Sequence, residues 1–244
     1  MTEEMNATAF PLPETRIPRG FAHVETWVFD LDNTLYPHDA DLWPQIDRQI
    51  TSYVCGMFGL DGISARALQK YWYTRYGTTL KALMDEHQIN PREFLDWAHN
   101  IDRSSLVPNA LLGAAIAALP GRKLILTNGD RSHAHLTMQQ LGIHEHFEDV
   151  FGIEEAEFTP KPELRTYEKF LARHDVDPTR AAMFEDLEKN LRAPHALGMT
   201  TVLITPAGGD PHREAWEREQ LTAAPHIDWT TNNLADFLTR SARD

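Results

Sequence analysis

Residues 23–34 read HVETWVFDLDNT, and the change of character at Asp30 decides the fold. The first seven, HVETWVF, are rich in β-branched and aromatic side chains and stop abruptly at the polar DLDNT, which is the pattern of a buried strand. Three more short apolar runs have strand character: Lys123–Leu126, Ala181–Phe184 and Thr200–Ile204. Helical stretches separate them. Leu111–Leu119 precedes the second run, and Arg131–Leu141 (stopped by Gly142) and Glu163–His174 follow it. Glu188–Leu197 (stopped by Gly198) separates the third and fourth, and residues 232–240 suggest a final amphipathic helix. Strands joined through helices imply right-handed crossovers and an α/β fold built on a doubly wound parallel sheet, covered on both faces. Ligands of such sheets bind at the carboxyl ends of the strands. Polar clusters follow three of the strands here, DLDNT, TNGD and EDLEKN, and together they locate the candidate site.

From about Asp39 to Asn100 the pattern is helical. Leu42, Ile46, Ile50, Tyr53/Val54 and Met57 recur at helical spacing, with Pro44 tolerated in the first turn. Ala65, Leu68, Trp72 and Tyr76 form a second face, and Leu80, Leu83, Met84 and His87 a third. Asn90-Pro91 opens a fourth helix with Phe94, Leu95 and Ala98 on one side. The expected organisation is an all-helical cap over 38–106, inserted after the first strand into a core of 21–37 plus 107–244. Residues 1–20, with three prolines and neither a basic start nor an apolar signal core, read as a loosely ordered extension and not a secretory signal.

Composition narrows the function. The net charge of −13 repels nucleic-acid backbones and anionic lipid, so extended polyanions are poor partners. A small phosphorylated metabolite remains open to it, because a local site of metal, lysine and backbone N–H groups overrides the global sign. No run approaches the roughly 18–20 apolar residues of a membrane span, and a single cysteine excludes an internal disulfide or a cysteine-based zinc site. A cytoplasmic protein, monomeric or homodimeric, is expected. Of twelve histidines, His133-Ala134-His135 comes closest to a ligand pair, but scattered surface histidines are the plainer account.

Asp30 and Asp32 stand two apart just past a strand, so both carboxylates face one small volume. Such charges repel unless a cation lies between them or one is protonated. Glu185-Asp186 emerges at the same sheet edge, and Mg2+ suits such an oxygen set. Capping aspartates are the alternative for Asp30 and Asp32. Thr127 and the Asn128-Gly129 turn offer a hydroxyl and backbone N–H groups to an anion, although turn chemistry alone accounts for Asn-Gly. Lys161, fixed between Pro160 and Pro162, is either a pre-aimed cation for a phosphoryl group or a solvated loop lysine. Combined, these groups suit phosphoryl transfer, with Asp30 as nucleophile forming an aspartyl-phosphate and Asp32 as general acid and base.

VFDLDNTLY, LILTNGD, TPKP and MFEDLEKN, in this order, resemble the four motifs of the haloacid dehalogenase (HAD-like) superfamily. DLDNTLYP, YGTTLKALM, FLDWAHNI, FEDLEKNLRAPHALGMTTVLI and NNLADFL extend the likeness, over roughly residues 24–240, to its pyrimidine 5'-nucleotidase branch. The resemblance implies Asp30 as nucleophile, Asp32 as general acid/base, Thr127 with the Asn128 and Gly129 N–H groups on the phosphoryl group, and Lys161 bridging nucleophile and phosphate. It also implies Mg2+ held by Asp30, Asp186 and the main-chain carbonyl of Asp32, with Glu185 acting through water and Asn190 orienting the loop. Leu187 departs from the family, where a small polar residue follows the acidic pair.

The expectation is therefore a Mg2+-dependent phosphomonoesterase acting on a pyrimidine nucleoside monophosphate. Alternatives are a phosphatase for a sugar phosphate or lysophosphatidate, a sugar-phosphate mutase, and a catalytically silent binding protein on the same fold. Asp32 argues against a dehalogenase, whose halide needs no protonation. Tyr36, Trp43, Trp72, Tyr73 and Tyr76 could stack on a base, but aromatics at helical spacing pack more often than they bind.

Overall fold

Val28 pairs with Leu124 on one side and Met183 on the other, which makes strand β1 (Thr26–Phe29) the centre of a parallel sheet. The structure is a computed structural model describing residues 18–208 and 224–241. Most of the expected 1–20 extension therefore lies outside the described residues. β2 (Arg122–Leu126), β3 (Asp149–Phe151), β4 (Ala181–Glu185), β5 (Thr200–Ile204) and β6 (Trp229–Thr231) complete a sheet of order β3-β2-β1-β4-β5-β6, every pair parallel.

The sheet is covered on both faces, so β1, β4 and β5 are buried along their whole length instead of alternating. Trp27, Phe29, Ile125, Phe184 and Val202 point to one face. There they meet α5 (Ala110–Ala118), α6 (Arg131–Leu141) and α9 (Leu234–Ser241) through Leu112, Ile116, Met138 and Leu238. Val28, Leu124, Leu126, Met183 and Leu203 point to the other, against Tyr167 and Phe170 of α7 (Leu164–His174) and the segment that includes α8 (Arg192–Leu197). Because chain order turns around at β1, the loops after β1, β2 and β4 open into one crevice.

The helical cap follows β1 as expected. It comprises α1 (Leu42–Phe58), α2 (Gly62–Tyr76), α3 (Thr79–His87) and α4 (Pro91–Ala98). Its boundaries follow local chemistry. The Asp61 side chain accepts from the Ile63 and Ser64 N–H groups to start α2, Thr78 caps α3, and Asn90 caps α4 with Pro91 in its first turn. Val54, Ala65, Trp72, Leu83, Phe94 and Leu95 form its own core. Met57, expected on the inner face of α1, is instead 40% exposed.

Other departures are local. β1 begins at Thr26, because Phe21–Val24 form a turn in which the Val24 N–H reaches Phe21 O, and Glu25 leads into the strand with its N–H on Arg180 O. The stretch 188–197 starts as a 3-10 turn (Glu188–Leu191) before α8, with Pro194 tolerated in the first turn of that helix. The three-residue edge strands β3 and β6 are too short to stand out as apolar runs. Among the described residues, no helix is long and apolar enough to cross a membrane.

Candidate active site

Asp30 is the first residue past β1, and its N–H still donates to Phe184 O on β4 (2.9 Å). The sheet thus fixes its backbone, and two side chains fix its carboxylate. Lys161 Nζ donates to Oδ1 at 2.6 Å and Thr34 Oγ1 to Oδ2 at 3.2 Å. Lys161 is only 2% exposed and also donates to Leu126 O at the end of β2 (2.9 Å), with Glu185 Oε1 3.5 Å away. The solvated-lysine reading therefore fails, since this ammonium is sunk between two carboxylates. Burial works against its charge, but Asp30 and Glu185 outweigh it and raise its pKa. Asn128 explains how the Lys161 loop is held: its Oδ1 accepts from the Lys161 N–H (2.7 Å), and its Nδ2 donates to Lys161 O (3.2 Å).

β4 delivers Glu185 and Asp186 to the same point. One ligand atom each from Asp30, Glu185 and Asp186 lies within 4.8 Å of the others, and all three residues are buried. Asn190 Nδ2 donates to Glu185 Oε1, and Tyr167 OH donates to Asn190 O (2.7 Å), so the loop after β4 is tied to α7. Glu185 Oε2 is buried and accepts no hydrogen bond. Burial and the neighbouring charges push Glu185 well up in pKa and raise Asp30 to about 6, against the pull of Lys161. Three crowded carboxylates with an unsatisfied oxygen among them are the donor set of a divalent cation, and these residues fit one. Thus the structure brings Glu185 into the acidic cluster itself. His38 Nε2 lies 3.5 Å from Asp186 Oδ2 on the far side.

Asp32 is held separately. Tyr36 OH donates to its Oδ1 at 2.6 Å, and His133 Nε2 lies 2.8 Å from the same oxygen. Burial pushes Asp32 up, but the His133 imidazole beside it and these two hydrogen bonds win and bring it down to about 2. His133 is 1% exposed, so it is not one of the scattered surface histidines that the sequence suggests, and it turns its ring away from any pairing with His135. Sequence reasoning missed Thr34, and it considered Tyr36 only as a stacking surface and His133 only as half of a ligand pair, so their place beside the aspartates went unread. A signal existed for the first two: each hydroxyl follows its aspartate by four residues, the reach of one helical turn.

Thr127 stands at the end of β2, its N–H on Phe151 O, and the Gly129 N–H donates to Thr127 Oγ1 (3.0 Å). That bond must open before the Gly129 N–H serves an anion. Any side chain at Gly129 would press on the His133 ring, with a Cβ 3.1 Å from its Cδ2. A cavity of about 160 Å³ runs from these groups under the cap, where Trp43, Ile46, Tyr73, Leu80 and Phe94 line it together with Leu187. Of the other aromatics considered as stacking surfaces, Trp72 is buried in the cap core and Tyr76 packs against that core.

A family model described as haloacid dehalogenase-like hydrolase matches residues 24–198, which contain every group above. The chain belongs to that family. Among curated relatives of this HAD hydrolase is phosphate metabolism protein 8 of Saccharomyces cerevisiae, 25% identical over 212 residues. The match takes in 80% of the chain and 65% of that relative, just under two thirds of its length. Among solved structures, L-2-haloacid dehalogenase from Xanthobacter autotrophicus superposes with a TM-score of 0.56 at 17% identity, covering 90% of this chain and 98% of the other. A HAD phosphatase from Thermococcus onnurineus gives 0.56 at 16% identity, covering 88% and 96%. At such identities these likenesses establish the HAD fold alone.

Proposed function

We propose that this chain is a Mg2+-dependent phosphomonoester hydrolase of the cytoplasm, acting through an aspartyl-phosphate on a pyrimidine nucleoside 5'-monophosphate. The observation that carries the reading is Asp32, a second carboxylate beside the nucleophile with its own hydrogen-bond partners and a place on the cavity wall. Cleaving a phosphate ester requires a proton for the departing oxygen, and halide displacement does not.

In this reading the Asp30 carboxylate attacks phosphorus, held by Lys161 and Thr34. The ester P–O bond breaks with its electrons going to the alcohol oxygen, which takes a proton from Asp32. Asp32 acquires that proton in the complex, where the incoming phosphoryl charge raises its proton affinity against the carboxylates already present. In the second half, Asp32 removes a proton from water as the water oxygen attacks phosphorus and the Asp30–phosphorus bond breaks. Thr127 and the Asn128 N–H bind phosphoryl oxygens. Asp30, Asp186 and the Asp32 carbonyl would hold the Mg2+, with Glu185 acting through water and Asn190 orienting the loop through its bond to Glu185. Bound there, the ion supplies positive charge that screens the carboxylates from the anionic substrate. The cap excludes water during the transfer.

The cavity supports a compact leaving group. Its small volume and the nearby Trp43, Tyr73 and Phe94 rings suit a planar base better than an acyl chain. The test is phosphate release from UMP, CMP, AMP, a sugar phosphate and lysophosphatidate, with Mg2+ and with chelator, in wild type and Asp30→Asn. Release from the pyrimidine nucleotides that needs both metal and Asp30 supports the proposal. Preference for another monophosphate removes the nucleotidase part, and no release from any compound removes the phosphatase reading.

A further inference from the structure

Asp32 is the proposed acid, yet nothing above says what keeps its carboxyl group aimed. Both of its hydrogen bonds, from Tyr36 and from His133, go to Oδ1, while Oδ2 lies on the side of Gly129 and the cavity. The geometry points to His133 as the positioning residue of Asp32, with its tautomer and ring plane set by His99 and Arg103 of the segment that leads out of the cap.

The tautomer follows from donor chemistry. Arg103 Nη2 lies 2.9 Å from His133 Nδ1, and a guanidinium can only donate. Nδ1 must therefore accept, so Nε2 carries the hydrogen and points it at Asp32 Oδ1. The ring plane is fixed by stacking, since His99 lies parallel to His133 with centroids 4.3 Å apart and planes 15° apart. His99 is in turn tied to the core, its Nδ1 2.6 Å from Asp130 Oδ2. Asp130 closes the loop, because its Oδ1 accepts from the His133 N–H (2.7 Å) and so caps the helix that carries His133. Arg103 also donates to His99 O (3.3 Å) and Ile101 O (3.3 Å). The groups bonded to or stacked on the imidazole thus come from Asp32's own loop or from the cap's exit segment. A displacement of the cap that carried His99 and Arg103 away would free both the tautomer and the plane of His133. The acid would then be aimed only while the cap is seated.

This rests on the phosphatase reading for its kinetic consequence, not for its geometry, so two measurements test it. The first is kcat/KM on p-nitrophenyl, phenyl and benzyl phosphate, whose leaving oxygens need increasing help from a proton. His133→Phe keeps the stacking shape but loses the donor. It should stay within about threefold of wild type on p-nitrophenyl phosphate and lose about 10²-fold on benzyl phosphate, the lower range of general-acid assistance. His133→Gln, whose amide nitrogen reaches the same place, should recover most of the loss. Equal losses on all three esters, or no loss, overturn the proposal. The second is ¹⁵N NMR of the side-chain imidazoles, which needs no turnover. One histidine should show the Nε2–H tautomer with a shielded ring proton, absent in His133→Phe and shifted in Asp32→Asn and Arg103→Met. An Nδ1–H tautomer or a mobile ring overturns the proposal. If wild type cleaves none of the esters but the NMR signature is present, the phosphatase reading fails and the positioning stands.

Discussion

Lys161 Nζ donates to Asp30 Oδ1 at 2.6 Å across 131 residues of sequence, and both side chains are almost fully removed from solvent. A single ammonium therefore holds the carboxylate at the end of β1 and faces Glu185 as well. Breaking a buried pair by removing one partner costs about 3–5 kcal/mol. Lys161→Met should show that loss in urea unfolding and should lower kcat by at least about 10²-fold, the scale of one lost electrostatic contact in a transition state. Lys161→Arg should rescue neither, because a planar guanidinium cannot place a single donor between Asp30 and Leu126 O as the compact ammonium does.

The pKa of Asp30 predicts a stability–function conflict. Its value rises from the ordinary 3.8 to about 6, burial being the main cause. A carboxylate raised on folding favours the native state below its unfolded value and loses that contribution as pH climbs through the folded one. Because Lys161 still faces Glu185 when Asp30 is neutralised, Asp30→Asn in chelator should match wild type near pH 4 and exceed it by about 3 kcal/mol above pH 6. Mg2+ should narrow the gap by stabilising wild type alone. Thermal melts across pH, with and without the metal, check both halves.

Asn190 reaches the acidic cluster only through Glu185 Oε1. Outer partners of metal ligands typically govern affinity by 10–100-fold. Asn190→Ala should therefore raise the Mg2+ concentration for half-maximal activity by about that factor, while kcat at saturating metal changes little. An unchanged metal requirement would argue that Glu185 needs no such support.

Asp130 connects the cap exit to α6, and its pKa falls to about 2. Burial pushes it up, and the His99 bond and charge with the His133 N–H bring it down. A carboxylate lowered on folding contributes above its unfolded value and loses that as pH drops through the folded one. Asp130→Asn should flatten the acid limb, so that wild type loses about 2 kcal/mol more than the variant between pH 4 and pH 2. His99 acts in the same direction at higher pH, since burial and the neighbouring His133 imidazole lower its pKa and protonation then disfavours the fold. Urea unfolding at pH 7, 5, 4, 3 and 2 measures both.

Much of this was legible in the chain itself. Four apolar runs separated by helical stretches determined a parallel sheet, because only a sheet buried on both faces uses strands without alternation. Asp61, Thr78 and Asn90 announced helix starts through their own side chains. Asp30, Asp32 and Glu185-Asp186 stood out because charged residues just past buried strands must converge at one sheet edge, and Lys161 stood out only through the prolines on either side of it. Tertiary structure alone decided the rest. The edge strands β3 and β6 exist through pairing with longer neighbours, not through their own three residues. His133 looked like half of a surface pair, since nothing local reveals that Asp32, 101 residues earlier, would receive its Nε2. Asn128 looked like turn chemistry, yet its amide clamps the Lys161 backbone. Local sequence determines which segments turn, extend or coil. Which polar atom meets which is settled only when distant segments pack and every buried donor must find an acceptor.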